Sequence, residues 1–209
     1  MARIEPFEQY SDRYEKWFEK NPVVYQSELK SVAHLLDTCG QIIEVGVGSG
    51  RFAVPLEIEY GIDPSPTMLE LAISRDIIGI QGIAESLPIK PNRFDGVVLV
   101  TTICFVDDIA QTLSEAYRIL RPGGQVVIGF IDRDSPIGAK YQSTKAENPF
   151  YRHATFVSMS ELRFELQSAG FSDFQCVQTI FDSPSNLTTT EQIKPGHGEG
   201  LFVVLAGRS

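Results

Sequence analysis

Residues 43–50 read IEVGVGSG. An apolar run carries one acidic side chain, Glu44, and then glycine recurs at every second position, Gly46, Gly48 and Gly50. A strand that ends on such a loop lets a ligand touch backbone, because glycine reaches positive φ at no steric cost and has no Cβ in the way. The nature of that ligand is the question the loop poses. A dinucleotide fold needs G-x-G-x-x-G and then a full helix whose N-terminus faces the pyrophosphate. Here the spacing is G-x-G-x-G, and Arg51 stands where the third glycine would. Residues 51–62 must hold both a connecting helix and the next strand, IEYGI, so that helix has little more than two turns, with Pro55 inside it. A short helix is a poor anion site. The phosphate loop G-x-x-x-x-G-K-[ST] is absent too. The loop suits a ligand without phosphates.

Outward from the loop, strands alternate with helices. QIIEV and IEYGI are short strands; Ser65-Pro66 starts a helix, with a hydroxyl cap and proline at the first helical position. IIGIQ is a weak strand, and GVVLVTT (96–102) has the continuous apolar run of a central parallel strand. Asp107 or Asp108 caps a helix that stops at Arg121-Pro122-Gly123-Gly124. QVVIGFI is another buried strand, Ser158-x-x-Glu161 is a capping box, and FSDFQCVQTIF and LFVVLAGR close the pattern. Before the loop, residues 1–40 look helical. Phe7, Tyr10, Tyr14, Trp17 and Phe18 form one aromatic stripe that ends at Asn21-Pro22; Tyr25, Leu29, Val32 and Leu36 then share a second helix face. Alternation of this kind predicts a parallel sheet with helices on both faces, and ligands that sit outside the carboxyl ends of its strands.

The chain has 209 residues and a net charge of −9. That length suits one domain, and the acidity disfavours a nucleic-acid footprint. No apolar run reaches the length of a membrane span, and the start is no signal peptide. Cys39, Cys104 and Cys176 lack metal-ligand spacing and fit a reduced, cytoplasmic protein. The expected partner is a small molecule, with neither nucleic acid nor membrane.

Asp63 follows the second strand, where a carboxylate can accept both hydroxyls of a ribose; it can also belong to the Asp-Pro-Ser helix cap. In series, IIEVGVGSGRF, GIDPSPTML, GIAESLPI, RFDGVVLV and EAYRILRPGGQVVI resemble the class I S-adenosylmethionine-dependent methyltransferases of the small-molecule, methyltransferase-11-like type. The resemblance runs over residues 36–131. It implies a Rossmann-like α/β three-layer sandwich: a mostly parallel seven-stranded sheet, an antiparallel last strand and an N-terminal helical cap. It also implies one methyltransferase domain over 1–209, with 1–38 as a helical lid segment and 39–209 as the core. The implied cofactor is S-adenosylmethionine, leaving as S-adenosylhomocysteine, with no metal. Glu44 and the backbone of Gly46, Gly48 and Gly50 would hold its methionine part, and Asp63 its ribose. Pro64, Ser65 and Met68 would lie beside sugar and adenine, and Gly82, Ala84 and Glu85 would meet the adenine. Thr101, Thr102 and Tyr14, the last from the covering segment YSDRYEKWF, complete the implied contacts. Ile83 departs from the pattern: the family's adenine-contacting acid stands there.

Methyl transfer from a sulfonium needs little beyond orientation and exclusion of water, so catalytic residues are hard to read. Tyr151 and His153, in the segment 132–157 after the fifth strand, are the candidates, His153 as a proton acceptor. His197 and Glu199, in the loop 182–200, are secondary ones. Cys104 reads as a packed thiol and His34 as structural. Tyr14 or Trp17 is the ring of the stripe expected to line the pocket. The expected function is direct, in-line methyl transfer to a small-molecule acceptor. The rivals are a non-catalytic cofactor-binding regulatory or partner subunit and a nicotinamide-dependent oxidoreductase.

Overall fold

The computed structural model describes residues 4–209; residues 1–3 of the expected lid segment lie outside them. The strands are β1 (Ile42–Val45), β2 (Tyr60–Asp63), β3 (Ile78–Gln81), β4 (Phe94–Val100), β5 (Leu120–Ile131), β6 (Ser172–Thr179), β7 (Lys194–Pro195) and β8 (Phe202–Arg208). They form one sheet in the order β3-β2-β1-β4-β5-β8-β6-β7. β1 to β5 pair in parallel, and β8 enters antiparallel between β5 and β6. The order reverses between β1 and β4, and a crevice opens at such a switch point. This is the Rossmann-like sheet expected from the sequence, with one strand more. The eighth strand, β7, pairs only with β6 at the sheet edge. It contains Pro195, which lacks an N–H to donate and so fits an edge.

The helices are α1 (Glu5–Gln9), α2 (Ser11–Lys20), α3 (Pro22–Leu35), α4 (Pro66–Ile73), α5 (Ile109–Ile119), α6 (Pro136–Thr144) and α7 (Met159–Ser168). The caps read from the sequence form as expected. Ser65 accepts from Met68 N, Asp108 from Gln111 N, and Ser158 with Glu161 closes a full capping box. Each satisfies an orphan donor of the first turn.

Four local expectations change. The link from β1 to β2 is a succession of turns rather than a helix. Pro55 has no N–H to offer the Arg51 carbonyl, and the Tyr25 hydroxyl donates to that carbonyl instead. The N-terminal stripe breaks at Tyr10, which separates α1 from α2. The buried face of α3 is Val24, Ser27, Glu28, Ser31 and Val32, rotated from the expected apolar one. Ser27 and Ser31 bury their hydroxyls by donating to the carbonyls of Val23 and Glu28. Finally, α6 stands inside the segment 132–157, where no helix was expected, capped by Ser135, which accepts from Gly138 N.

Candidate active site

One cavity of about 220 Å³ opens over the switch point. Its floor is made by strand ends: Val45 closing β1 with Gly46 and Gly48 after it, Ile62 to Pro64 at β2, Gly82 to Glu85 after β3, and Val100 closing β4 with Thr101 and Thr102 after it. Close approach explains two of the glycines. A Cβ on Gly46 (φ +76°) would lie 2.3 Å from Thr102 Oγ1, and one on Gly48 (φ +53°) would lie 3.2 Å from the Tyr14 hydroxyl. Gly46 therefore makes room first for Thr102 across the switch point. Gly50 does not line the cavity; the space at its Cβ position faces Ile77 and Ala72, so it serves packing. Thr101 holds φ +52° at the end of β4, where its N–H donates to the Gly129 carbonyl at 2.8 Å. A β-branched residue there is strained, and such strain gathers at functional positions.

Two carboxylates lie buried on the adjacent strands β1 and β2. Asp63 accepts from Gly48 N at 2.8 Å and from Ser65 N at 2.9 Å. It thus ties the glycine loop to the start of α4 and still faces the cavity. Burial pushes its pKa up to about 6, against those two backbone hydrogen bonds. Glu44 is 1% exposed, and its Oε2 finds no partner among the described residues. Burial first, and the neighbouring Asp63 charge second, push its pKa well above the usual carboxylate range, opposed by the Ala53 N–H. Glu44 does not line the cavity, nor does Ser65, whose hydroxyl caps α4 and donates to Glu8.

The roof comes from α1 and α2. Glu8 accepts from the Ser65 hydroxyl and from Thr67 Oγ1 at 2.7 Å. Glu15 binds the Ser49 hydroxyl, Arg51 and Arg75, with 2.5 Å ion pairs to both guanidiniums. Burial raises the Glu15 pKa, but donors from Arg75, Ser49 and Arg51 outweigh it and hold the carboxyl low. Arg51, at the place of the missing third glycine, also lies 5.2 Å over the Phe18 ring. The aromatic stripe completes the enclosure. Phe7 meets Tyr14, Phe105 and Phe150 in ring contacts, and Tyr14 meets Phe18 and Phe150. Tyr14 and Trp17 both line the cavity.

Of the expected contacts, Gly46, Gly48, Asp63, Pro64, Met68, Gly82, Ala84, Glu85, Thr101, Thr102 and Tyr14 converge on this cavity, with Ile83 in its wall. Tyr151 converges there too, stacked on Phe105 and packed against Phe156. Burial holds the Tyr151 phenol protonated well above its ordinary range. His153 is a correction: it is exposed and outside the cavity, carried there by the turn that follows Tyr151. His197 and Glu199 are likewise exposed and outside it, and His34 is exposed on the last turn of α3. Cys104 is buried, and its thiol donates to the Thr101 carbonyl. Several lining residues went unread in the sequence, among them Phe105, Phe150 and one buried acid. Glu28 of α3 is 7% exposed, and burial pushes its pKa up to about 8. Its signal was an acid at the i+4 position from Val24 on a buried helix face.

Comparison with known proteins shows the family to which this fold belongs. The sequence profile of the methyltransferase domain matches residues 43–128. An uncharacterized protein of Methanocaldococcus jannaschii is 37% identical over 96% of this chain and 97% of its own length. A ubiquinone biosynthesis O-methyltransferase of Azorhizobium caulinodans is 27% identical over 68% of this chain. Several curated relatives are longer, and the matched region spans 57% to 62% of their length. A crystal structure from Thermotoga maritima is described as a SAM-dependent methyltransferase, possible histamine N-methyltransferase. It superposes with a TM-score of 0.96 at 46% identity, covering 98% of this chain and 99% of that one. Among the described residues, no helix is long and apolar enough to cross a membrane. The chain belongs to the class I S-adenosylmethionine-dependent methyltransferases.

Proposed function

We propose that this chain binds S-adenosylmethionine across the switch point and transfers its methyl group in line to a small-molecule acceptor. The observation that carries the reading is the convergence of three features in one cavity: the Gly46–Gly48 backbone, the Asp63 carboxylate and the strained end of β4. The residues fit the group. Asp63 uses one lone pair on each oxygen for backbone donors, which leaves acceptor capacity for a ribose diol. Gly46 and Gly48 expose backbone, and Met68 and Ile83 offer apolar surface to a purine.

When bound, S-adenosylmethionine supplies a methyl group on an already activated carbon. The protein's part is to orient and to dry the site. Asp63 and the Gly48 loop fix the ribose end. Tyr14, pinned over Gly48 and flanked by Phe7, Phe18 and Phe150, closes the middle against water. The Glu15 and Glu8 clasps hold that roof to the floor. The similar proteins include an O-methyltransferase and a possible histamine N-methyltransferase, so the acceptor atom must be read from this site.

Calorimetry with S-adenosylhomocysteine and NAD in parallel tests the proposal. Binding of the first and not the second is expected. Binding of NAD alone would restore the oxidoreductase reading. Binding of S-adenosylhomocysteine with no methyl transfer to any of a metabolite panel would favour a non-catalytic subunit.

A further inference from the structure

Glu28 lies outside the set of residues proposed to hold the cofactor, yet it lines the same cavity. It sits on α3, which packs on β5, β6 and β8. Asp63 ends β2, on the other side of the switch point. The cavity thus has a ribose end under β2 and β3 and a second end under α3. Among the described residues no hydrogen bond or ion pair reaches the Glu28 carboxyl; burial alone sets its acidity. A carboxyl set in a cavity among rings, with no donor from the described residues, is costly to ionise, and a cation with N–H groups relieves that cost.

The surroundings point the same way. Tyr14, Phe18, Phe105, Phe150 and Tyr151 line the cavity, and ring faces attract ammonium groups. Arg13, the cationic side chain of the lining, is exposed. The groups that feel the Glu28 charge include the phenols of Tyr14 from α2, Tyr25 from its own helix, Tyr141 from α6, and Tyr151. Each is held protonated, and none brings positive charge. Among the described residues, the acidic end has no counter-ion of its own.

We propose that the methyl acceptor is a small primary or secondary amine, held as its ammonium by Glu28 among the rings of Tyr14, Phe18 and Tyr151, and that Glu28 takes the proton the nitrogen must shed. The proposal rests on the methyltransferase reading above. The balance is simple. The ammonium N–H gives its proton to the Glu28 carboxylate and frees the nitrogen lone pair. That pair forms the new N–C bond while the C–S pair passes to sulfur, which leaves as a neutral thioether. The N-methylammonium product carries the positive charge away, and Glu28 returns its proton to solvent.

The test uses the full chain saturated with S-adenosylhomocysteine, titrated with 2-phenylethylamine and with its alcohol counterpart, 2-phenylethanol. The amine should bind about ten- to a hundredfold tighter, the range for hydrogen bonds to a charged group. Glu28→Gln should remove that preference while leaving S-adenosylhomocysteine affinity unchanged. A second measurement needs no variant. At pH 7, before the amine binds, Glu28 is mostly protonated, with its pKa near 8. Forming the ion pair should then release about one proton per amine bound, fading as pH rises past the folded pKa. Calorimetry in two buffers of different ionisation enthalpy reads it. Equal binding of amine and alcohol, a preference that survives Glu28→Gln, or amine binding without proton release would each overturn the proposal while leaving the cofactor reading intact. Failure of the wild-type chain to bind S-adenosylhomocysteine would overturn both.

Discussion

The two ends of the cavity are built from different material. The end proposed for the ribose consists of strand ends and the turns that follow them, so its groups stand at fixed offsets from apolar runs. Gly46, Gly48 and Asp63 all fall within one β1–turn–β2 unit, with Glu44 buried behind them, and Asp63 closes the circle by accepting from Gly48 N. The other end consists of side chains from α2, α3 and the segment after α6, gathered over the sheet by packing. Its groups share no local pattern. The first end can be specified by backbone geometry alone; the second depends on which helix face turns inward.

The largest expected effect strikes the backbone-built end. Gly46→Val places a branched side chain at positive φ and drives its Cβ into Thr102. Strain and overpacking together should cost ~3 kcal/mol of stability or more. A melt should show the loss, with S-adenosylhomocysteine binding abolished. Because the clash is with Thr102, Gly46→Ala should be milder in a Thr102→Gly background; additive losses would show that Thr102 is not the obstacle.

The next effect strikes the helix-built end. Glu28 binds its proton more tightly folded than unfolded, its pKa rising from the ordinary 4.5 to about 8. Its contribution is therefore fully present below about 4.5 and lost as pH rises through about 8. Asp63 does the same over a lower window, up to about 6. Melting temperature of the ligand-free chain should fall from pH 6 to pH 8.5. Glu28→Gln should flatten that slope and leave the variant more stable than wild type at pH 8.5. The gain should be a few kcal/mol, at ~1.4 kcal/mol for each tenfold change in proton affinity. Parallel pH profiles for the two proteins would refute the buried, unpaired state of Glu28.

A smaller effect probes the clasp between roof and floor. Glu15→Gln leaves Arg51 and Arg75 facing a neutral amide. For a partly buried network, ~1–2 kcal/mol of stability should go. S-adenosylhomocysteine should also dissociate faster, because Tyr14 is carried by the same helix. An unchanged dissociation rate would detach the roof from cofactor retention. The smallest effect is at Ile83, which is 40% exposed in the cavity wall. A carboxylate there stays partly solvated, so Ile83→Asp should tighten S-adenosylhomocysteine binding by ~1 kcal/mol through the adenine amine. Weaker binding would mean that desolvation outweighs the new hydrogen bond.

Legibility followed the same division. The strand–helix alternation, the caps of α4, α5 and α7, and the inward position of Asp63 were visible because each depends on a few neighbouring residues, whereas the antiparallel β8 came only from the family resemblance. α6 was missed although Ser135-Pro136 repeats the Ser-Pro signature of α4; Gly138 and the lack of an apolar stripe concealed it. β7 was missed because two residues with a proline carry no strand pattern. Glu28 was missed because two buried serines shift the inward face of α3 away from its most hydrophobic residues. His153 drew attention by residue type and by its place after the fifth strand, and the chain turns it outward.

The central claim is that Asp63 receives the ribose at the switch point. A thermodynamic cycle addresses it directly: S-adenosylhomocysteine and its 2′,3′-dideoxyribose analogue, each titrated into wild type and Asp63→Ala. Loss of the diol should cost the wild type ~1.5–3 kcal/mol, the range for hydrogen bonds to a charged group. The same loss should cost Asp63→Ala almost nothing, since its partner is already gone. If both proteins lose equal affinity with the diol, and Asp63→Ala merely melts earlier, Asp63 is only the brace between the glycine loop and α4.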